Sequence, residues 1–354
     1  EVTNFYGYDD KKNLIYFQSN EKSPLQKHIY SINLNGTSKR LLTKNNGVNN
    51  AVFSKKMEYF INTNSTANTP NYITLNNKKG KTIRVLKDSG KLKKRLSQYS
   101  LSEKEFFTFK TEDNVSLDGW MMKPPDFDEN KKYPVLMYVY GGPGHQLVLD
   151  SWGRYYMWYQ FLSQKDIIIV CVDNRGTGGK GSSFKKCTYQ ELGKLETQDQ
   201  IAANKYISSL NYIDKDKIGI WGWSYGGYMS SLCLLKGSDV FQFAIAVAPV
   251  TNWRFYDTIY TERYMRTPQE NPDGYDLNSP INYVDQLTGN YLLIHGSADD
   301  NVHYQNTMEM ISALVKENKQ FDLFIYPDKN HGIYGGKTTL NLMTKITDFI
   351  MNNL

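Results

Sequence analysis

Cysteine and histidine are both scarce in this chain, and each scarcity narrows the chemistry open to it. Three cysteines among 354 residues, Cys171, Cys187 and Cys233, cannot build a disulfide framework, and none has the spacing of a metal site. Cys171 falls in an apolar run and Cys233 in a small-residue helical stretch, so free buried thiols are expected there. Long apolar runs are missing too. The longest, such as Ile167 to Val172, fall far short of the roughly 20 residues a bilayer-spanning helix needs. The net charge of +6 comes with no long Lys/Arg tract apart from Lys91 to Arg95, so it reads as solubility rather than nucleic-acid binding, and no nucleic-acid partner is expected. The chain opens on Glu1 rather than Met with no visible signal peptide, so a leading segment is expected to have been removed.

Tyrosine, by contrast, is abundant at 27 residues, a ring often placed on strands and in substrate pockets. The length allows one large or two ordinary domains. Residues 1 to about 90 read as all-β, with strands predicted over Asn13 to Gln18, His28 to Leu34 and Glu58 to Asn62, separated by turn signals such as Asn35-Gly36 and Lys79-Gly80. An internal repeat is present. Asn-Leu-Ile-Tyr-Phe at Asn13 is echoed by Glu-Tyr-Phe-Ile-Asn at Glu58, and the stretch at Ile29 by the one at Tyr72, a period of roughly 45 residues that fits a propeller blade. Asp88 to Glu105 is polar, basic and weakly periodic, which predicts a linker. The expected division is residues 1–100 as the last blades of a truncated β-propeller plus that linker, and residues 101–354 as a second domain. In the latter, a hairpin (Phe106 to Lys110, Leu117 to Lys123) precedes apolar strands over Val135 to Tyr140, Ile167 to Val172, Ile218 to Trp221, Phe243 to Ala248, Tyr291 to His295 and Leu323 to Tyr326. Helical stretches (Gln190 to Ser209, Tyr304 to Glu317, Thr338 to Met351) alternate with them, which predicts a mostly parallel α/β sheet covered by helices.

The motif that organises this domain is Gly222-Trp223-Ser224-Tyr225-Gly226, a Gly-x-Ser-x-Gly nucleophile elbow. A strand leads into it and a small-residue helix leads out, as the motif requires. On an α/β-hydrolase fold an acid and a histidine must follow the serine, in that order. Five histidines allow a choice by elimination: His28 lies in the β region, His145 and His295 precede the loop that must carry the acid, and His303 reads as the opening of a helix. His331 remains, in a polar loop after a strand. Asp299 and Asp300 follow the strand ending at His295 and are equal candidates for the acid, both also suited to helix capping. The chemistry needs all three groups, because a serine hydroxyl is a poor nucleophile until a base takes its proton and an acid orients that base. The backbone N–H of Tyr225 is the expected oxyanion donor, and the loop Tyr140-Gly141-Gly142-Pro143-Gly144 the source of a second.

Two other patterns compete for attention. Gly176 to Gly181 matches Gly-x-Gly-x-x-Gly after a strand, but Asp173-Asn174-Arg175 intervenes and no helix opens on the last glycine, so a mobile loop explains it and no dinucleotide cofactor is expected. Trp253, Tyr256, Tyr260 and Tyr264 are spaced 3, 4 and 4 residues apart, which predicts four rings on one helix face. Such a stripe is usually core, yet it follows a strand end on the rim where open α/β sheets bind ligands, so a lined pocket is equally expected.

At these residues the chain resembles the dipeptidyl peptidase IV family of serine peptidases, within the prolyl oligopeptidase group. The blocks that carry the resemblance are Val-Tyr-Gly-Gly-Pro-Gly at Val139, Gly-Trp-Ser-Tyr-Gly-Gly-Tyr-Met at Gly222, Ala-Pro-Val-Thr-Asn-Trp-Arg-Phe-Tyr-Asp-Thr-Ile-Tyr-Thr-Glu-Arg-Tyr-Met at Ala248 and His-Gly-Ser-Ala-Asp-Asp-Asn-Val-His at His295. The resemblance implies Ser224, Asp299 and His331 as the triad and Tyr140 as a side-chain oxyanion donor alongside Tyr225. It implies Tyr225, Val250, Trp253, Tyr256, Tyr260 and Val302 as walls of a proline pocket, with Asn301 on the carbonyl of the preceding residue. The implied substrates are peptides with proline at the second position, with no cofactor, no metal and a homodimeric enzyme of the periplasm or cell exterior. The family's paired glutamates, which grip a free amino terminus from the propeller, have no counterpart in residues 1–100. Prolyl tripeptidyl or acylaminoacyl peptidases, a catalytically weak fragment, or a silent binding protein on this scaffold are the alternatives.

Overall fold

The computed structural model describes residues 1–354, and the chain divides into two compact units. One comprises Glu1–Glu105 with Val148–Phe161 and Gly179–Gly181; the other comprises Phe106–Leu147, Leu162–Gly178 and Ser182–Leu354.

The first unit contains β1 (Val2–Asp9), β2 (Leu14–Ser19), β3 (His28–Asn33), β4 (Arg40–Leu41), β5 (Val48–Phe53), β6 (Tyr59–Thr66), β7 (Thr69–Asn77) and β8 (Thr82–Lys87). They form two four-stranded antiparallel sheets, β1 to β4 and β5 to β8, each with its strands in chain order. This is the build of two propeller blades, one per period of the sequence repeat. Gly36 and Gly80, at φ +82° and +84°, turn the third strand into the fourth in each, a left-handed conformation that favours glycine. The core between the sheets is aromatic. Phe53 lies 5.4 Å from the ring of Tyr6, 4.9 Å from Tyr16 and 4.9 Å from Phe60. Beyond β8 the predicted linker contains a helix, α1 (Gly90–Leu96). Its Lys-Leu-Lys-Lys-Arg-Leu run is rich in helix formers, and its cations sit in the last turn, where the helix dipole favours them.

The second unit is built on an eight-stranded sheet of β9 (Lys104–Lys110), β10 (Ser116–Met122), β11 (Tyr133–Val139), β12 (Ile168–Asp173), β13 (Ile213–Trp223), β14 (Phe243–Val247), β15 (Asn290–Gly296) and β16 (Asp322–Tyr326). Their order is β16-β15-β14-β13-β11-β12-β10-β9. Strands β11 to β16 are mutually parallel and β10 runs antiparallel to β12. Helix α2 (Tyr156–Ser163) falls largely in the first unit's segment Val148–Phe161, whereas α3 (Ser182–Lys186), α4 (Lys194–Ser208), α5 (Tyr225–Lys236), α6 (Thr258–Met265), α7 (Pro272–Asp276), α8 (Gln305–Lys316) and α9 (Thr338–Asn353) come between and after the strands of the sheet. Every residue of β12 and β14 is buried, as expected of parallel strands covered on both faces. From β11 the chain steps to one side for β12 and then to the other for β13. That reversal opens a crevice at the carboxyl ends of these strands, where α/β sheets place their ligands. The architecture is an α/β-hydrolase fold preceded by a partial β-propeller segment.

Helix α5 runs buried over Tyr225 to Leu235, and only small residues let it lie so close to the sheet. A Cβ on Gly226 would sit 2.2 Å from the carbonyl oxygen of Val139 at the end of β11, and one on Gly222 would sit 2.3 Å from the carbonyl of Gly226. Ser230 and Ser231 bury their hydroxyls by donating to the carbonyls of Gly226 and Gly227 at 2.7 and 2.8 Å, so neither hydroxyl is orphaned. Gly226→Ala is therefore expected to lower the thermal midpoint by roughly 5–10 °C, the scale of an overpacked backbone contact in a unit of this size. Calorimetry of the variant beside the wild type measures it.

Candidate active site

Ser224 caps α5 with φ 60° and ψ −119°, a region that only a surrounding structure can impose on a non-glycine residue. The hold is visible. Its N–H donates to the carbonyl of Val247 at 2.8 Å, and its carbonyl accepts from Tyr228 N–H at 2.9 Å. The turn presents a half-buried hydroxyl at the carboxyl end of β13.

The acid and the histidine come from the loops after β15 and β16, and the two loops are laced together. Ser297 N–H donates to Tyr326 O, Ala298 N–H to Lys329 O, and Asp328 N–H to Ser297 Oγ. Of the two adjacent aspartates, Asp299 is buried and Asp300 exposed. Nδ1–H of His331 donates to Asp299 Oδ2 at 2.7 Å, which leaves Nε2 as the free acceptor of the ring. Asp299 Oδ1 accepts from the N–H groups of Asn301 and Val302 at 2.9 and 3.0 Å. Burial pushes the Asp299 carboxyl up, but the hydrogen bonds from His295 and His331 and the nearby His331 charge outweigh it and hold the group well below the usual carboxylate range. The backbone carbonyl of His331 accepts from Trp223 Nε1 at 3.0 Å, so the residue before Ser224 anchors the histidine loop to the elbow. No hydrogen bond joins Ser224 Oγ to His331 Nε2 in this conformation; such bonds characteristically tighten only when substrate arrives.

Tyr140 follows β11 and packs its ring 5.9 Å from that of Tyr225 and 4.4 Å from that of His145. Burial raises its pKa, which keeps the hydroxyl protonated and able to donate. Asn174 fixes the loop behind it by donating to Gly141 O at 3.0 Å. The glycine run that begins at Gly176 is tied to the same loop, with Gly176 O accepting from Gly144 N–H at 2.8 Å.

The aromatic residues after β14 do not share one helix. Trp253 belongs to a short 3-10 turn, Trp253–Phe255, and α6 starts afresh at Thr258, where Asp257 accepts from Tyr260 N–H at 2.8 Å. The aspartate cap breaks the periodic stripe, yet the rings still converge. Trp253 and Tyr260 lie stacked with centroids 6.3 Å apart, Tyr256 meets Tyr260 edge-on at 5.3 Å, and Tyr225 lies 5.7 Å from Trp253. Val250 and Val302 are buried around them. Tyr256 donates to Asn301 Oδ1 at 2.7 Å, joining the aromatic cluster to the acid loop.

Two side chains that touch the candidate site escape sequence reasoning. His295, set aside because it precedes the acid, is wholly buried, with Nε2 2.9 Å from Val302 O and 3.2 Å from Asp299 Oδ2. Both neighbours are acceptors, so Nε2 carries the proton and Nδ1 takes the Thr307 hydroxyl at 2.7 Å. Its spacing of four from Asp299 across a strand end was the available signal. Glu196 is 0% exposed in the first turn of α4. Gly193 N–H donates to its Oε2 and the Tyr225 hydroxyl to its Oε1, each at 2.9 Å. A carboxylate three residues into a helix is a capping signal, but nothing in the sequence joins it to Tyr225. Burial outweighs those hydrogen bonds and pushes its pKa up to about 8.

The profile of the prolyl oligopeptidase family matches residues 154–354, and that of the dipeptidyl peptidase IV N-terminal region matches residues 1–71. The chain is 39% identical over 346 residues to a probable dipeptidyl-aminopeptidase B of Trichophyton verrucosum, covering 93% of this chain and 37% of that protein. It is similarly 39% identical over 351 residues to one from Arthroderma benhamiae, covering 93% of this chain and 37% of that protein. Among solved structures it resembles dipeptidyl peptidase 4 of Porphyromonas gingivalis at TM-score 0.97 and 47% identity, over 100% of this chain and 50% of that one. The chain thus spans half or less of the length of these relatives.

The two buried carboxyls bias stability in opposite directions with pH. Asp299 is depressed in the fold, so its contribution is complete above the ordinary carboxylate pKa and is lost as pH falls through its folded value. Glu196 is raised from 4.5 to about 8; the fold holds its proton more tightly than the unfolded chain, so stability declines as pH climbs between those values and levels off above them. Glu196→Gln should flatten that decline. Thermal midpoints of both proteins between about pH 5 and pH 9 test it, and parallel curves would mean that Glu196 does not titrate in this range.

Proposed function

The chain belongs to the prolyl oligopeptidase family, and we propose that it is the catalytic portion of a serine peptidase that releases Xaa-Pro dipeptides through an acyl-enzyme. In this reading residues 1–100 are the last blades of a propeller with a linker, and residues 101–354 form the catalytic domain. The observation that carries the proposal is the strained Ser224 elbow, tied through Trp223 to a histidine whose ring is held by Asp299 at 2.7 Å.

The steps follow from the groups present. Ser224 Oγ attacks the carbonyl carbon of the proline itself while His331 Nε2 takes its proton, and Asp299 stabilises the resulting imidazolium. Charge collects on the carbonyl oxygen, where the Tyr225 N–H and the Tyr140 hydroxyl donate. The imidazolium then protonates the leaving amine, the peptide bond breaks, and the dipeptidyl ester remains on Ser224. Water, deprotonated by His331, attacks that ester and restores the serine.

Selection of proline rests on the box of Tyr225, Val250, Trp253, Tyr256, Tyr260 and Val302. A prolyl ring is compact and apolar and has no N–H to satisfy, so rings alone can select it. Asn301, which accepts from Tyr256, would turn its amide N–H groups toward the preceding carbonyl. Release of dipeptides rests on the names of the relatives, and a homodimeric, exported enzyme on the same likeness.

Ser224→Ala is expected to cut hydrolysis of an Xaa-Pro amide by about a million-fold, and Asp299→Asn by about ten-thousand-fold. Steady-state kinetics with a chromogenic dipeptide amide measures both, and full activity in Ser224→Ala would reject the assignment. Peptides with free and blocked amino termini separate the neighbouring possibilities. Only free-amine Xaa-Pro peptides should be cleaved; equal cleavage of blocked ones would indicate an acylaminoacyl or internal specificity, and preference for small acyl esters a general esterase.

A further inference from the structure

Glu196 poses a physical problem. It is wholly buried, its two oxygens accept hydrogen bonds from Gly193 N–H and the Tyr225 hydroxyl, and no cation faces it; the neighbouring charge is another carboxylate, Asp199, already paired with Arg175 at 2.6 Å. A buried, unpaired carboxyl is costly. Helix capping alone does not account for it, because a cap on Gly193 needs one oxygen and no burial.

The second oxygen points to the answer. Tyr225 follows the proposed nucleophile, and its ring stands within 5.9 Å of those of Tyr140, Tyr228 and Trp253. The other tyrosine of this turn is anchored from the same side, with the Tyr228 hydroxyl 2.7 Å from Leu192 O and accepting from Trp253 Nε1 at 3.1 Å. Helix α6 is tied there as well, since Gln190 N–H donates to Tyr264 O at 2.7 Å. The segment Gln190 to Glu196 thus anchors both elements that carry the aromatic box.

We propose that Glu196 is a positioning residue for substrate selection, acting through the Tyr225 hydroxyl to fix the ring that meets the residue before the scissile bond. The inference rests on the reading of Ser224 as the nucleophile of a proline-selective peptidase. Held at its tip, the Tyr225 ring presents one fixed face to a prolyl ring; released, it adapts to smaller side chains, and discrimination falls.

The test measures kcat/KM for matched dipeptide amides with proline or alanine before the scissile bond, together with fluorophosphonate labelling of the purified full chain. Wild type should take the label; if it does not, the serine-peptidase reading fails and this inference with it. Glu196→Ala should still be labelled but lose up to roughly tenfold of its proline-over-alanine ratio, the scale of one buried hydrogen bond. Glu196→Gln, which keeps an acceptor for the hydroxyl, should recover most of that ratio. Tyr225→Phe should lose as much as Glu196→Ala, and the double variant no more than either single one. A labelled Glu196→Ala with an unchanged ratio, or additive losses in the double variant, would overturn the proposal. Where Glu196→Ala does not fold, Tyr225→Phe decides: a ratio equal to wild type overturns the proposal and a tenfold loss supports it.

Discussion

The close approach of α5 to the end of β11 is the constraint on which the second unit depends. Without side chains at Gly222 and Gly226, helix backbone reaches sheet backbone at distances that no Cβ permits. The chain must then reverse within one residue, and that residue, Ser224, takes a conformation it would not adopt in a free peptide. The same approach brings Tyr225 and Tyr228 against Trp253. The proposed nucleophile and the aromatic cluster beside it are thus two products of one packing contact.

A second constraint acts on charge. Asp299 is surrounded by four donors, two imidazoles and two backbone N–H groups, so its charge persists although its side chain is wholly buried. Glu196 has two donors and no imidazole, and burial prevails. Two carboxyls within one unit are pushed in opposite directions by the number and kind of their partners. The ionised one is suited to stabilising an imidazolium. The other is suited to holding a hydroxyl without setting a full negative charge behind an apolar pocket.

The parts of this arrangement legible in the sequence were those encoded by short-range pattern. Gly-x-Ser-x-Gly between a strand and a helix marked Ser224, and scarcity of histidine isolated His331. Adjacent Asp299 and Asp300 could not be ranked by pattern, because they differ only in which way a turn aims each side chain. The ring spacing from Trp253 to Tyr264 suggested one helix, although Asp257 carried the capping signal that divides it. In the first unit, β1, β4, β5 and β8 went unread: β1 and β5 interrupt their apolar residues with Thr and Asn, β4 has two residues, and β8 is exposed along its whole length. Links such as Glu196 to Tyr225, 29 residues apart, exist only after folding and leave no local trace.

The lacing of the loops after β15 and β16 has a dynamic consequence. Because Ser297, Ala298 and Asp328 exchange hydrogen bonds across the two loops, opening of either loop removes partners from the other. The loops that carry Asp299 and His331 therefore share part of their local stability, although the two side chains lie 32 residues apart in the chain.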